Sequence, residues 1–197
     1  DREISGLASD SRRVKPGTLF AALPGGRADG RAFVADALAR GATALLADTN
    51  VATALRADVP VPVLDDANPR RRFALLTARF YGGQPERIAA VTGTNGKTSI
   101  VNFARQMWQA MGKNGASVGT LGVSAPDYEE PGTLTTPDPV ELHRILAELK
   151  RRGVDRLAME ASSHGLDQYR LDGVELTAAV FTNLTRDHLD YHKTFEA

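Results

Sequence analysis

The stretch RIAAVTGTNGKTSIVNFARQMWQAMG, residues 87–112, decides the fold. Its apolar opening, 87–91, runs into a turn punctuated by Gly93 and Gly96. The following segment, 98–112, places Ile100, Phe103, Ala104, Met107, Trp108 and Met111 on one helical face before Gly112 stops it. A strand that ends in a glycine turn and opens a helix aims unpaired backbone N–H groups and the positive end of the helix dipole at one point, where an anion fits. Lys97 adds a point charge suited to the outer phosphates of a nucleotide, and the Thr98 hydroxyl suits the magnesium that travels with them. Gly93 and Gly96 allow a backbone approach that a side chain would obstruct. The loop Gly93, Thr94, Asn95, Gly96, Lys97, Thr98 reads G-x-x-G-K-T; the commoner G-x-x-x-x-G-K-[ST] pattern would need glycine where Val91 stands, so this is a P-loop variant. The competing reading is a Gly-Lys turn of no consequence.

On the N-terminal side, 17–23 reads as a strand, 30–41 as a helix stopped by Gly41, and 42–48 as a second strand. Residues 59–69 make a short strand hemmed by prolines, 70–83 an amphipathic helix with a double-glycine end, and GGQPER (82–87) a linker. On the C-terminal side a Gly-, Pro- and Thr-rich stretch, 112–139, precedes an amphipathic helix capped by Asp138, and VDRLAME and LTAAVFTNL supply two further strands. Strands separated by helices need crossover connections, which implies an α/β protein with a parallel, doubly wound sheet. The expected division is a small α/β domain over 1–85 and a P-loop domain over 86–197.

The 197 residues suffice for two cores. Lysine plus arginine equals aspartate plus glutamate at 24 each, so no net field favours nucleic acid or an anionic membrane, and an anion must be held locally. The absence of cysteine excludes disulfides, thiolate metal sites and a thiol nucleophile. No apolar run approaches the ~20 residues that span a bilayer and the start lacks a secretory layout, so a cytoplasmic protein is expected. Asp1 at the start and the ending YHKTFEA lead us to expect a segment of a longer polypeptide.

In an open parallel sheet, ligands sit off the carboxyl ends of the strands. Glu160, Asn183 and, just beyond, His188 should therefore face the crevice that holds the P-loop. A carboxylate and a neutral imidazole beside a triphosphate suit a hard cation that bridges phosphate oxygens; a capping glutamate and a structural histidine are the alternatives. ASSHGLDQYR (161–170) reads as a polar loop rich in donors, while His143, His164 and His192 read as structural or solvent-exposed.

TGTNGKT (92–98), TTPDP (135–139), MEASSHGL (159–166) and FTNLTRDHLDYH (181–192) together resemble the Mur ligases, and 9–42 is similar to that family's UDP-binding N-terminal domain. Four ordered motifs are far more specific than a P-loop alone. The resemblance implies an ATP- and Mg2+-dependent amide ligase of peptidoglycan precursor synthesis. It would add a diamino acid, meso-diaminopimelate expected, to UDP-N-acetylmuramoyl-L-alanyl-D-glutamate through an acyl phosphate, as a monomer. It implies that Gly93 to Thr98 and Asn183 hold ATP, that Lys97, Glu160 and His188 are catalytic, and that Thr98, Glu160 and His188 serve magnesium. Thr135, Thr136, Ser162, Gln168 and Arg170 would contact the muramoyl dipeptide, and Ser9, Ser11, Gly26, Arg27 and Ala28 the UDP moiety. Two family features have no counterpart in 1–197: a carbamylated lysine beyond the DHLDYH motif and a C-terminal domain that binds the incoming amino acid. The chain alone is expected to be inactive. Another ligase of the superfamily, or a non-catalytic nucleotide-binding module, are the alternatives.

Overall fold

The computed structural model describes residues 3–25, 29–186 and 189–194, and its contacts divide the chain into two compact units, Asp1–Thr77 and Ala78–Ala197. Among the described residues no helix is long and apolar enough to cross a membrane.

The first unit is built on four parallel strands in the order β1 (Gly6–Ala8), β2 (Thr18–Ala21), β3 (Ala42–Asp48), β4 (Val63–Asp66). Parallel pairing forces a crossover between successive strands. The connections carry a 3-10 turn (Ser11–Arg13), a 3-10 turn (Gly30–Phe33) leading into α1 (Val34–Ala39), and α2 (Thr49–Asp58); α3 (Pro69–Tyr81) follows β4. Residues 49–58, unassigned from the sequence, are helical because Asp48 caps them, its carboxylate accepting from the Asn50 amide at 3.0 Å. The helix expected over 30–41 is in part a 3-10 turn, and its Phe33 is exposed, while Val34 and Ala37 pack inward beside Phe20 and Leu45.

The second unit holds a six-stranded sheet in the order β10 (Leu176–Phe181), β5 (Arg87–Thr92), β9 (Arg156–Glu160), β6 (Gly115–Gly119), β7 (Gly122–Ala125), β8 (Tyr128–Glu130). The first four are parallel and the last two antiparallel. Side chains alternate between the faces of a strand, and each face meets a helix. Ile88, Ala90, Leu157 and Met159 pack with Leu142, Ile145, Leu146 and Leu149 of α5 (Pro139–Arg151). Val91 and Ala158 face Val101, Ile100, Ala104 and Trp108 of α4 (Lys97–Ala110) on the other side. The sheet is doubly wound, as the element order implies. Two short helices complete the unit, α6 (Ser163–Asp167) and α7 (Leu189–His192).

Residues 112–139, given no element from the sequence, carry β6, β7 and β8, joined by two-residue turns at 120–121 and 126–127. Two expectations need correction. Residues 161–170 are not all loop, since Ser162 caps α6, its hydroxyl accepting from the Gly165 amide at 3.1 Å. The apolar face read on α4 divides, with Ile100, Ala104 and Trp108 on the sheet and Phe103, Met107 and Met111 exposed. Val101, off that face, is the residue of the helix that is buried.

His143 is buried on the inner side of α5 and its Nε2 lies 3.1 Å from the Asp172 carbonyl, an arrangement that suits the neutral ring with its proton on Nε2. Burial pushes its pKa below the ordinary 6.5. A lowered histidine pKa leaves the folded state with fewer protons than the unfolded one, so this contribution to stability is present above 6.5 and is lost as pH falls through the lowered value. Urea midpoints at about pH 7.5 and about pH 5.5 should therefore fall further for the wild type than for His143→Gln; equal slopes would contradict this.

Candidate nucleotide and substrate site

The site of the second unit forms where β5, β9 and β10 end side by side. Residues 93–96 connect β5 to α4, and both glycines are required. Gly93 has φ +123° and a Cβ there would lie 2.2 Å from Thr182 Oγ1 and 2.7 Å from the Asn183 carbonyl; Gly96 caps the helix at φ +90°. The segment after β10 clamps the loop from outside. The Thr94 amide donates to the Asn183 carbonyl at 2.9 Å, the Asn95 amide to Asn183 Oδ1 at 3.1 Å, and Asn183 Nδ2 to the Asn95 carbonyl at 3.1 Å. Thr182 Oγ1 adds a bond to the Asn95 carbonyl at 2.7 Å.

This narrows the cradle expected from the sequence. The amides of Thr94 and Asn95 are committed to Asn183, which leaves the first-turn amides of α4, at Lys97, Thr98 and Ser99, without a carbonyl one turn earlier. Those amides and the helix dipole make the anion seat. Lys97 Nζ folds back over the loop and donates to the carbonyls of Gly93, at 2.6 Å, and Thr94, at 3.0 Å. Its ammonium sits over the turn, within reach of whatever occupies it.

Glu160 ends β9 with 1% of its surface exposed, and a buried carboxylate must be supplied with donors. It has three. Thr98 Oγ1 donates to Oε2 at 3.0 Å, the Thr120 amide to Oε1 at 2.8 Å, and Thr120 Oγ1 to Oε2 at 3.3 Å. Room for it comes from Gly119, where a Cβ would stand 2.1 Å from Glu160 Oε1. Thr98 keeps its oxygen lone pairs while it donates. Two hard oxygen donors, one of them charged, thus converge beside an anion seat, which suits Mg2+ sharing its shell with phosphate oxygens. Among the described residues no three His, Cys, Asp or Glu side chains gather as a metal site. His188, the third expected ligand, lies outside the described residues, as do Gly26, Arg27 and Ala28.

A second set of expected residues surrounds the same acid. Thr136 is 1% exposed; its hydroxyl donates to the Glu160 carbonyl at 3.0 Å and receives the Ser162 amide at 2.9 Å. Thr135 Oγ1 lies 3.1 Å from Thr120 Oγ1. Arg170 Nη1 donates to the Thr136 carbonyl at 2.7 Å, and its Nη2 to Gln168 Oε1 at 2.8 Å. Gln168 Nε2 in turn donates to the Tyr191 hydroxyl at 3.1 Å, which donates to Asp167 at 2.6 Å. Thr135, Thr136, Ser162, Gln168 and Arg170 are therefore brought together with Glu160. Thr120, Thr182 and Tyr191 were missed by sequence reasoning; Thr120 follows a strand of small residues that gives no periodic signal.

In the first unit, Ser9 and Ser11 line a cleft of about 560 Å³ with Asp10, Arg12, Gly25 and Arg70. The Arg12 guanidinium holds the Asp10 carboxyl below the usual carboxylate range. Arginines and hydroxyls together form a surface able to take an anionic ligand.

Comparison with known proteins matches this architecture. The family profile described as Mur ligase middle domain covers residues 91–197, and that described as Mur ligase family, catalytic domain covers 3–81. The UDP-N-acetylmuramoyl-L-alanyl-D-glutamate--2,6-diaminopimelate ligase of Rhizobium meliloti (strain 1021) is 57% identical over 194 residues, which is 98% of this chain and 39% of the relative. The ligase of the same name from Caulobacter vibrioides is 50% identical, over 100% of this chain and 41% of its own. A solved structure of a ligase of that name superposes with a TM-score of 0.84 at 35% identity, over 98% of this chain and 39% of that one. A MurF ligase from Thermotoga maritima, solved with ADP, shares the fold at a TM-score of 0.61 and 21% identity, over 99% of this chain and 40% of its own. The chain spans about two fifths of the length of the curated relatives it matches. It belongs to the Mur ligase family.

Proposed function

We propose that this chain forms the substrate- and ATP-binding part of a cytoplasmic, monomeric amide ligase that adds meso-diaminopimelate to UDP-N-acetylmuramoyl-L-alanyl-D-glutamate in peptidoglycan precursor synthesis. The observation that carries the reading is the position of Glu160, held on its carboxylate by Thr98 of the P-loop and on its carbonyl by Thr136 of the TTPDP stretch. Nucleotide-side and acceptor-side elements meet on one residue. In the reaction, the D-glutamyl carboxylate attacks the γ-phosphorus of ATP, ADP leaves, and an acyl phosphate forms. The amine of the diamino acid then attacks the acyl carbon, phosphate departs and the nitrogen loses a proton.

Two anions must approach each other in the first step, so their repulsion has to be offset by fixed positive groups. Lys97 and the first-turn amides of α4 hold the outer phosphates and receive the growing charge on the leaving oxygen. Thr98 and Glu160, with His188, would hold Mg2+, which when bound neutralises phosphate oxygens. Arg170, braced by Gln168, together with Ser162, Thr135 and Thr136, orients the acceptor. Ser9 and Ser11, with Gly26, Arg27 and Ala28, would hold the UDP end.

Two measurements test this. Titration calorimetry of the chain with UDP-N-acetylmuramoyl-L-alanyl-D-glutamate should give saturable heat; none at any concentration up to about 1 mM would count against the substrate assignment. Mass spectrometry of the ligase that contains this chain, with ATP and each diamino acid, should show the diaminopimelate tripeptide. ATP hydrolysis without a peptide product would favour a nucleotide-binding module instead.

A further inference from the structure

We propose that Thr120 is the positioning residue of the cation site, setting the carboxylate of Glu160 through its amide and hydroxyl together; this rests on the reading of Thr98 and Glu160 given above. A glutamate side chain has three rotatable bonds, and a carboxylate meant to share a cation with a triphosphate must be fixed in direction before the ligand arrives. Thr98 alone cannot fix it, because one hydroxyl on one oxygen leaves the carboxylate free to swing about that contact. Thr120 supplies the other two points, its N–H on Oε1 at 2.8 Å and its Oγ1 on Oε2 at 3.3 Å. The turn at 120–121 delivers both, since β6 lies beside β9 and its end carries the chain past the Glu160 carboxylate, with Gly119 leaving the space.

The polarity of the contacts extends outward. A carboxylate only accepts, so the Thr120 hydroxyl proton points at Glu160, and the 3.1 Å contact to Thr135 must be Thr135 donating to Thr120. Thr135 thus acts on the carboxylate of Glu160 through Thr120, while its neighbour Thr136 holds the carbonyl of the same residue. An acceptor that engages the Thr135 hydroxyl would change how firmly Thr120 holds the acid. That gives the acceptor site a physical route to the cation site.

Thr120 is exposed at a turn, so its replacement opens no cavity in the core. The test is binding of a fluorescent ATP analogue to this chain, in EDTA and across a Mg2+ titration, for the wild type, Thr120→Val and Thr120→Ser. Thr120→Val keeps the shape and loses the hydroxyl. It should raise the Mg2+ concentration at half-saturation by about tenfold while leaving binding in EDTA within about twofold, and Thr120→Ser should stay close to the wild type. An unchanged Mg2+ midpoint in Thr120→Val overturns the inference. So does an equal loss in EDTA and Mg2+, or a serine variant as weak as the valine one, since either would mean general damage to the turn. The last possible result is a wild type that binds no analogue at all, which removes the nucleotide-site reading and this inference with it; the other failures leave that reading standing.

Discussion

Lys97→Ala should weaken binding of an ATP analogue to this chain by about 100-fold, roughly 3 kcal/mol. The size follows from the seat being small. Thr94 and Asn95 spend their amides on Asn183, so the loop offers fewer backbone donors than its glycines suggest, and the ammonium carries a larger share of the charge balance. In the absence of nucleotide, Lys97 also ties the Gly93 and Thr94 carbonyls, a role that the variant loses, but these bonds are only partly buried and thermal stability should change little. Equilibrium binding read by analogue fluorescence, with a melting curve as control, separates the two effects. Affinity within about threefold of the wild type would show that phosphates are not held there.

Leu157→Ala should cost the second unit about 3 kcal/mol, while Phe103→Ala costs under about 0.5 kcal/mol. Leu157 is fully buried in the strand that ends at Glu160, packed with α5, and its truncation leaves a cavity its neighbours cannot fill. Phe103 is 61% exposed. The chain has a single tryptophan, Trp108, packed on the sheet of this unit, so urea unfolding followed by its fluorescence reports the right transition. Similar losses in both variants would mean that the α4 surface carrying Phe103 is covered in solution. Because Leu157 packs with α5, on the face of the sheet opposite the P-loop helix α4, nucleotide binding should remain near normal in Leu157→Ala at low urea, where the fold persists.

The helix over 97–110 shows how far sequence reading reaches. Its existence and start are local matters, fixed by a glycine turn, a lysine and apolar residues recurring at helical spacing. Which apolar residues it buries is not local. Ile100, Phe103, Ala104, Met107, Trp108 and Met111 lie on a contiguous surface by helical spacing, yet the sheet meets one side of it and leaves Phe103, Met107 and Met111 in water.

The strand β6, GASVG, marks the opposite limit. Its residues are small because their neighbours are large: a Cβ on Gly115 would lie 2.8 Å from Trp108 Cβ and 2.9 Å from its ring, and one on Gly119 would meet the Glu160 carboxylate. Such a strand has neither alternation nor β-branched enrichment to announce it, and only the packed structure explains its composition.

The sequence by itself determined the P-loop, the alternation of strands and helices that requires parallel pairing, the N-cap at Asp138, and the residue types able to hold phosphate and cation, because each depends on a few neighbouring positions. Tertiary structure alone decided that Asn183 clamps the loop, that Thr98 and Thr136 grip opposite ends of Glu160, and that Thr120 completes its hold. Those contacts join residues 24 to 88 positions apart. Their geometry is set by the order in which strands enter the sheet, which no local pattern encodes.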